Sequence, residues 1–140
     1  MLIHQGVDIV AVSKIREIML RRPGFGDEVF TEREREYCLA RPNPYIHFAG
    51  RFAAKEACLK ALGTGLSATG IDGSLGEIEI IPGKSGKPEL HLAGWTGRIV
   101  RRKKISQLTV SISHSADYAV ALVIMAGNGT PPTVDNGARR

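Results

Sequence analysis

Between Gly50 and Gly65 the chain reads GRFAAKEACLKALGTG, a helical stretch that sets Arg51, Lys55, Glu56 and Lys60 among small apolar residues and ends on a glycine loop. Helical spacing puts Glu56 and Lys60 one turn apart on one face, with Arg51 and Lys55 as a second pair of the same spacing. Ala53, Ala54, Ala57, Cys58, Leu59, Ala61 and Leu62 cover most of the remaining surface. Such a helix is expected to be buried on several sides, and its charges then need partners. One carboxylate among three cations that can converge on an anion suits a site for metal and phosphate. A merely solvated Glu56–Lys60 pair has the same spacing.

A second carboxylate lies far away, Asp8 in HQGVDIVAV. Val7, Ile9, Val10 and Val12 are β-formers, so Gly6 to Val12 reads as a short buried strand. An unpaired carboxylate there would cost several kcal/mol, so Asp8 must meet a cation or strong donors, backbone N–H groups included. Two carboxylates without a surplus of His or Cys point to a hard, oxygen-preferring ion. Mg²⁺ commonly takes one or two protein carboxylates and completes its shell with water and substrate phosphate.

Around these two segments the punctuation predicts an α+β domain. Ser13 is placed to cap a helix to about Arg22, broken by Pro23 and Gly24. Thr31 with Glu34 is a capping-box pattern for a helix through Leu39. The central helix is expected from Asn43–Pro44 to Leu62, with Gly63 ending it. Gly63 to Gly76 reads as a mobile loop rich in Gly, Ser and Thr. Glu77–Ile81 and Glu89–Leu92 read as strands joined across PGKSGKP. Ala93 to Lys104 reads as a helix ending in the basic run Arg101, Arg102, Lys103 and Lys104. A last antiparallel hairpin has His114 to Asp117 at its tip and an apolar second strand, Tyr118 to Met125. The expectation is thus a single domain over residues 1–126, with a small antiparallel sheet packed against helices, and a disordered tail over 127–140.

With 140 residues, 43% hydrophobic and 24% charged, the chain can build one real core. Cys38 and Cys58 lack ligand spacing and read as buried thiols, indicating neither disulfide nor zinc. The start lacks a signal-peptide pattern, and His114 and Asp117 interrupt the apolar run from Leu108 to Met125. A soluble, cytoplasmic protein without a membrane partner is expected. The net charge of +5 favours anionic partners. A nucleic-acid-binding protein is the rival of a different class, suggested by the basic run. Its aromatic residues, however, are scattered rather than interleaved with cations, so nucleic acid is not the expected partner.

GVDIV, FTEREREYC, GRFAAKEACLKALGTG, GKP and SISHSADYAVALVI follow one another in an order and spacing that resembles the holo-acyl-carrier-protein synthases, 4′-phosphopantetheinyl transferases of the short trimeric type. The likeness spans roughly residues 1–125. It implies transfer of 4′-phosphopantetheine from coenzyme A to a serine hydroxyl of apo acyl carrier protein in fatty acid biosynthesis, releasing adenosine 3′,5′-bisphosphate. Carriers of polyketide or peptide synthesis are the alternative acceptors. By the same resemblance Asp8 and Glu56 match the Mg²⁺ ligands. Glu56 is the candidate to accept the serine proton, and Lys60 supplies positive charge at the pyrophosphate. Arg51 and His114, the latter assisted by Ser113, match positions near the 3′-phosphate. Thr64 and Gly65 match a loop offering backbone donors, and Lys87 with Pro88 lie near the nucleotide. The helix carrying Lys14, Arg16, Arg21 and Arg22 resembles the docking surface for the acidic carrier, although the family usually has Arg where this chain has Lys14. A homotrimer with sites between subunits is also implied.

Overall fold

The computed structural model describes residues 1–63 and 74–129. Along the chain run β1 (Leu2–Ala11), α1 (Val12–Arg21), α2 (Phe25–Val29), α3 (Glu32–Leu39) and α4 (Pro44–Ala61). After a 3₁₀ turn (Leu75–Glu77) come β2 (Ile78–Pro82), β3 (Pro88–Leu92), α5 (Gly94–Arg102), β4 (Ile105–His114) and β5 (Tyr118–Gly127). The strands form two antiparallel sheets rather than one: β1-β5-β4, and the β2-β3 hairpin. The expected α+β class holds. Helix α4 is central, packing on β1, β5 and β4 with one flank and on α1, α3 and β2 with the others.

Helix α4 has Pro44 in its first turn, and Gly63 just beyond it adopts φ +84°, the left-handed conformation that closes a helix. The small residues of α4 let β1 come close. A Cβ on Gly6 would lie 2.0 Å from the Ala57 carbonyl oxygen and 2.7 Å from the Ala61 nitrogen, so only glycine fits there. Two residues on, Asp8 is therefore held against the same helix.

The reading of Gly6–Val12 as a buried strand is corrected. Strand β1 is longer and only its even-numbered side faces α4; Ile3, Val7 and Ile9 are exposed. Strand β5 behaves alike, burying Ala119, Ala121, Val123 and Met125 while exposing Tyr118, Val120, Leu122 and Ile124. Alternation puts these two exposed rows on one outer face of the sheet. Helix α1 starts at Val12, with Ala11 as its cap residue and no side-chain cap, rather than being capped by Ser13; the free N–H of Val12 donates to the Asp117 carbonyl in the β4–β5 turn, at 2.9 Å. Helix α2 was not expected; it buries Phe25 and Val29 directly after the Pro23–Gly24 break. Both thiols are buried, and burial pushes Cys38 to about 11 and Cys58 to about 12. The expected loop lies outside the described residues over 64–73, and the expected tail does so from residue 130.

By its spacing Lys55 could support the site beside Arg51 or make an outer ion pair, and the structure shows a buried pair instead. Its ammonium turns inward, 2.8 Å from Glu34 Oε1, with both side chains fully buried. It also donates to the carbonyls of Leu75, at 2.9 Å, and Ile78. Glu34 accepts from the N–H groups of Thr31 and Ile80, each at 2.9 Å, as part of the capping box that starts α3. One pair thus ties α3, α4, the 3₁₀ turn and β2 together. Removing one partner of a buried, hydrogen-bonded pair strands the other charge, so Lys55→Met should cost about 3–5 kcal/mol in urea unfolding at fixed protein concentration. A loss below about 1 kcal/mol would show that the pair does not hold α4.

Candidate active site

Lys60 Nζ lies 3.0 Å from Asp8 Oδ1 and donates to the Val7 carbonyl at 3.1 Å, joining positions 52 apart in sequence. Glu56, one turn earlier on α4, lines a cavity of about 280 Å³ together with Asp8. Glu56 is only 6% exposed, and its Oε1 is buried without a hydrogen-bond partner among the described residues. Burial pushes its pKa above the ordinary glutamate value, and the nearby Asp8 charge pushes it further, with Lys60 opposing both. An orphaned carboxylate oxygen beside a second carboxylate is a place that favours a cation. The donor set, two oxygen ligands open to a cavity, fits Mg²⁺.

The same cavity runs under α1. Lys14 and Arg22 stand on it, and Ile15, Ile18, Phe25 and Phe52 give it apolar walls. The other two cations expected on this surface point elsewhere. Arg16 sits 5.8 Å from the ring centre of Tyr45, and Arg21 pairs with Glu17 at 3.1 Å in solvent.

A second cavity, about 170 Å³, gathers Arg51, Pro88 and His114 with Tyr37 and His47. The Arg51 guanidinium carbon lies 3.9 Å from the Tyr37 ring centre, and its Nε is buried without a partner among the described residues. His47 and His114 meet edge to face with centroids 5.5 Å apart. Burial lowers the His47 pKa, and His114, Arg41 and Arg51 lower it further. Lys87 lines a separate groove between β3 and β4, which shares only Pro88 with this cavity. Strand alternation puts Ser113 on the opposite face of β4 from His114, so the two do not converge within a chain. Thr64 and Gly65 lie outside the described residues.

The two cavities occupy different flanks of the molecule. At about 100° per residue, Arg51 is about 140° from Glu56 around α4 and about 180° from Lys60. In the sheet, Asp8 pairs with Ala121 on one side of β5 and His114 with Ala119 on the other. Tyr37, His47, Phe25 and Phe52 were not singled out from sequence. His47 carried the one usable signal, its placement one turn before Arg51.

Known proteins are similar to this chain in sequence and in fold. The family model of the 4′-phosphopantetheinyl transferase superfamily matches residues 5–123. A holo-[acyl-carrier-protein] synthase of Caldanaerobacter subterraneus is 42% identical over 125 residues, covering 89% of this chain and 95% of the relative. One from Chlamydia caviae is 45% identical over 123 residues, 86% of this chain and 94% of the relative. Among solved structures, a complex of such a synthase with coenzyme A from Chronobacterium ammoniagenes superimposes with a TM-score of 0.76 at 30% identity, covering 91% of this chain and 99% of that one.

If Asp8 and Glu56 face each other as described, Asp8→Asn should lower the Glu56 pKa in chelator-treated protein, followed by carboxyl carbon NMR through a pH titration. A rise, or no movement, would contradict the geometry.

Proposed function

The chain belongs to the 4′-phosphopantetheinyl transferase superfamily, and we infer from that premise and the two cavities how it works. It transfers 4′-phosphopantetheine from coenzyme A to a serine hydroxyl of apo acyl carrier protein. The hydroxyl oxygen attacks the β-phosphate of the coenzyme's pyrophosphate, the bond to the nucleotide phosphate breaks, and adenosine 3′,5′-bisphosphate leaves. The observation that carries the reading of the site is the orphaned, buried Glu56 oxygen facing Asp8, with Lys60 beside them.

Phosphoryl transfer depends on positioning and charge neutralisation more than on covalent help. Asp8 and Glu56 would hold Mg²⁺, which supplies positive charge to the pyrophosphate oxygens and orients them. Lys60, anchored by Asp8 yet with its side chain 47% exposed, is placed to add a second positive charge at the same phosphates. Glu56 accepts the serine proton. Arg51 and His114 hold the nucleotide phosphate in the other cavity.

The carrier approaches over α1. Lys14 and Arg22, above the cavity's apolar walls, complement an acidic carrier protein. Lysine at position 14 cannot give the bidentate contact that arginine offers there. Cytoplasmic fatty acid biosynthesis is the setting this reading assigns. No helix among the described residues is long and apolar enough to cross a membrane.

A homotrimer accounts for two features that a lone chain leaves unexplained. The apolar outer face of β1 and β5 stays uncovered in one protomer, including Val7 at 56%, Ile9 at 65% and Tyr118 at 54% exposure. The catalytic and nucleotide cavities, moreover, lie toward opposite edges of the sheet. Three sheets closed around an axis, each β1 edge facing a neighbour's β4 edge, would cover the apolar face and bring one chain's Asp8 and Glu56 to its neighbour's Arg51 and His114.

Incubation of the protein with Mg²⁺, coenzyme A and a panel of apo carriers, read by mass spectrometry, should add one phosphopantetheine to the carrier. Asp8→Ala and Glu56→Ala should abolish that gain at unchanged melting temperature, and chelation should do the same reversibly. Full turnover in either variant, or in the chelated protein, would refute the site.

A further inference from the structure

The nucleotide cavity holds more positive charge than Arg51 and His114 bring to it. Arg41 lies 3.3 Å and Arg51 3.9 Å from the Tyr37 ring centre. Two guanidinium groups cannot share one face at those distances, so they sandwich the ring. Arg41 also donates to the Tyr37 carbonyl at 2.8 Å. His47 packs edge-on against the same ring at 6.0 Å and against His114 at 5.5 Å.

The titratable and charged groups facing His47 are Tyr37 and Arg41 from α3 and the turn after it, Arg51 from its own helix and His114 from β4. The β2–β3 hairpin contributes Pro82, Gly86 and Pro88 to the cavity, none of which titrates. Among the described residues no carboxylate is within ion-pair reach of Arg41, Arg51, His47 or His114. The Arg51 Nε, almost wholly buried, lacks a partner among them too.

We infer that His47 is a phosphate contact of this cavity, working beside His114, and that coenzyme A binding is coupled to uptake of a proton by the His47 imidazole. This rests on the reading that the cavity takes the coenzyme's nucleotide end. In the free protein burial, and then the neighbouring His114, Arg41 and Arg51, lower the His47 pKa and so favour its neutral ring. An arriving phosphate dianion reverses that field and favours the imidazolium, with solvent supplying the proton. The dianion then meets Arg51 and the His47 imidazolium, with the Arg41 charge behind the Tyr37 ring. His47 thereby favours the 3′-phosphorylated coenzyme over its dephosphorylated form, and more strongly as pH falls.

The test is calorimetry of the full chain with coenzyme A and with 3′-dephospho-coenzyme A, in two buffers of different ionisation enthalpy, between pH 6 and pH 8.5. Wild type should take up a larger fraction of a proton per coenzyme A near pH 7 than a variant without the His47 imidazole. His47→Phe, which keeps a ring edge against Tyr37, and the neutral polar His47→Gln should both reduce that uptake. Both should weaken coenzyme A binding roughly tenfold at pH 6 and less than about twofold at pH 8.5. The dephosphorylated coenzyme should show neither effect. Unchanged uptake in both variants, or an equal loss of affinity at every pH, would overturn the role of His47. If the wild type modified no apo carrier and bound no coenzyme A, the functional reading would fall and this inference with it. If it did both without a contribution from His47, only the inference would fall.

Discussion

The ion pair between Lys55 and Glu34 sets the rotation of α4, and the placement of both cavities follows from it. Lys55 reaches carbonyls of the 3₁₀ turn and β2 as well as Glu34, so this face of the helix cannot turn without stranding a charge. With Lys55 pinned, Glu56 and Lys60 project about 100° and 140° away around the helix, toward β1. Arg51, about 40° to the other side, projects toward Tyr37 and β4. A buried pair of this kind adds little net stability over an apolar replacement. Its consequence here is orientation: a slip of one residue would carry Glu56 out of reach of Asp8.

The two cavities have opposite electrostatic deficits. One holds paired carboxylates, relieved only in part by Lys60, and its orphaned oxygen calls for a cation. The other holds Arg51 and two imidazoles, with Arg41 behind the Tyr37 ring, none with a carboxylate partner among the described residues, and calls for an anion. A metal-chelated pyrophosphate attached to a phosphorylated nucleoside presents both complements in one molecule.

Much of this was legible in the sequence, for reasons that differ by residue. The capping box at Thr31 and Glu34, Pro44 at the start of α4 and Gly63 at its end are local signals, and local signals fix element boundaries well. The chemistry of Asp8 and Glu56 was readable because a carboxylate in an apolar run must find a partner. Packing choices were not. Whether Lys55 turned in or out depended on where Glu34 came to lie, far away along the chain. The exposed apolar rows of β1 and β5 could not be separated from core in the sequence, where an outer apolar face carries the same residue types as an inner one. His47 was hidden because its partners, Tyr37 and His114, come from two other elements. Ser113 illustrates the reverse error: adjacency in sequence is not adjacency in a strand, where neighbours point to opposite faces.

The separation of the catalytic carboxylates from the nucleotide cations within a chain leads to one central claim, that a working site is built from two protomers. Subunit mixing tests it most directly. Asp8→Ala chains and Arg51→Ala chains, each inactive alone, would be unfolded together, refolded at equal ratio and assayed for carrier modification. A site shared between neighbouring subunits predicts recovery of about a quarter of wild-type activity on random assembly. Mixtures as inactive as either parent, at a subunit mass confirming mixed oligomers, would contradict it.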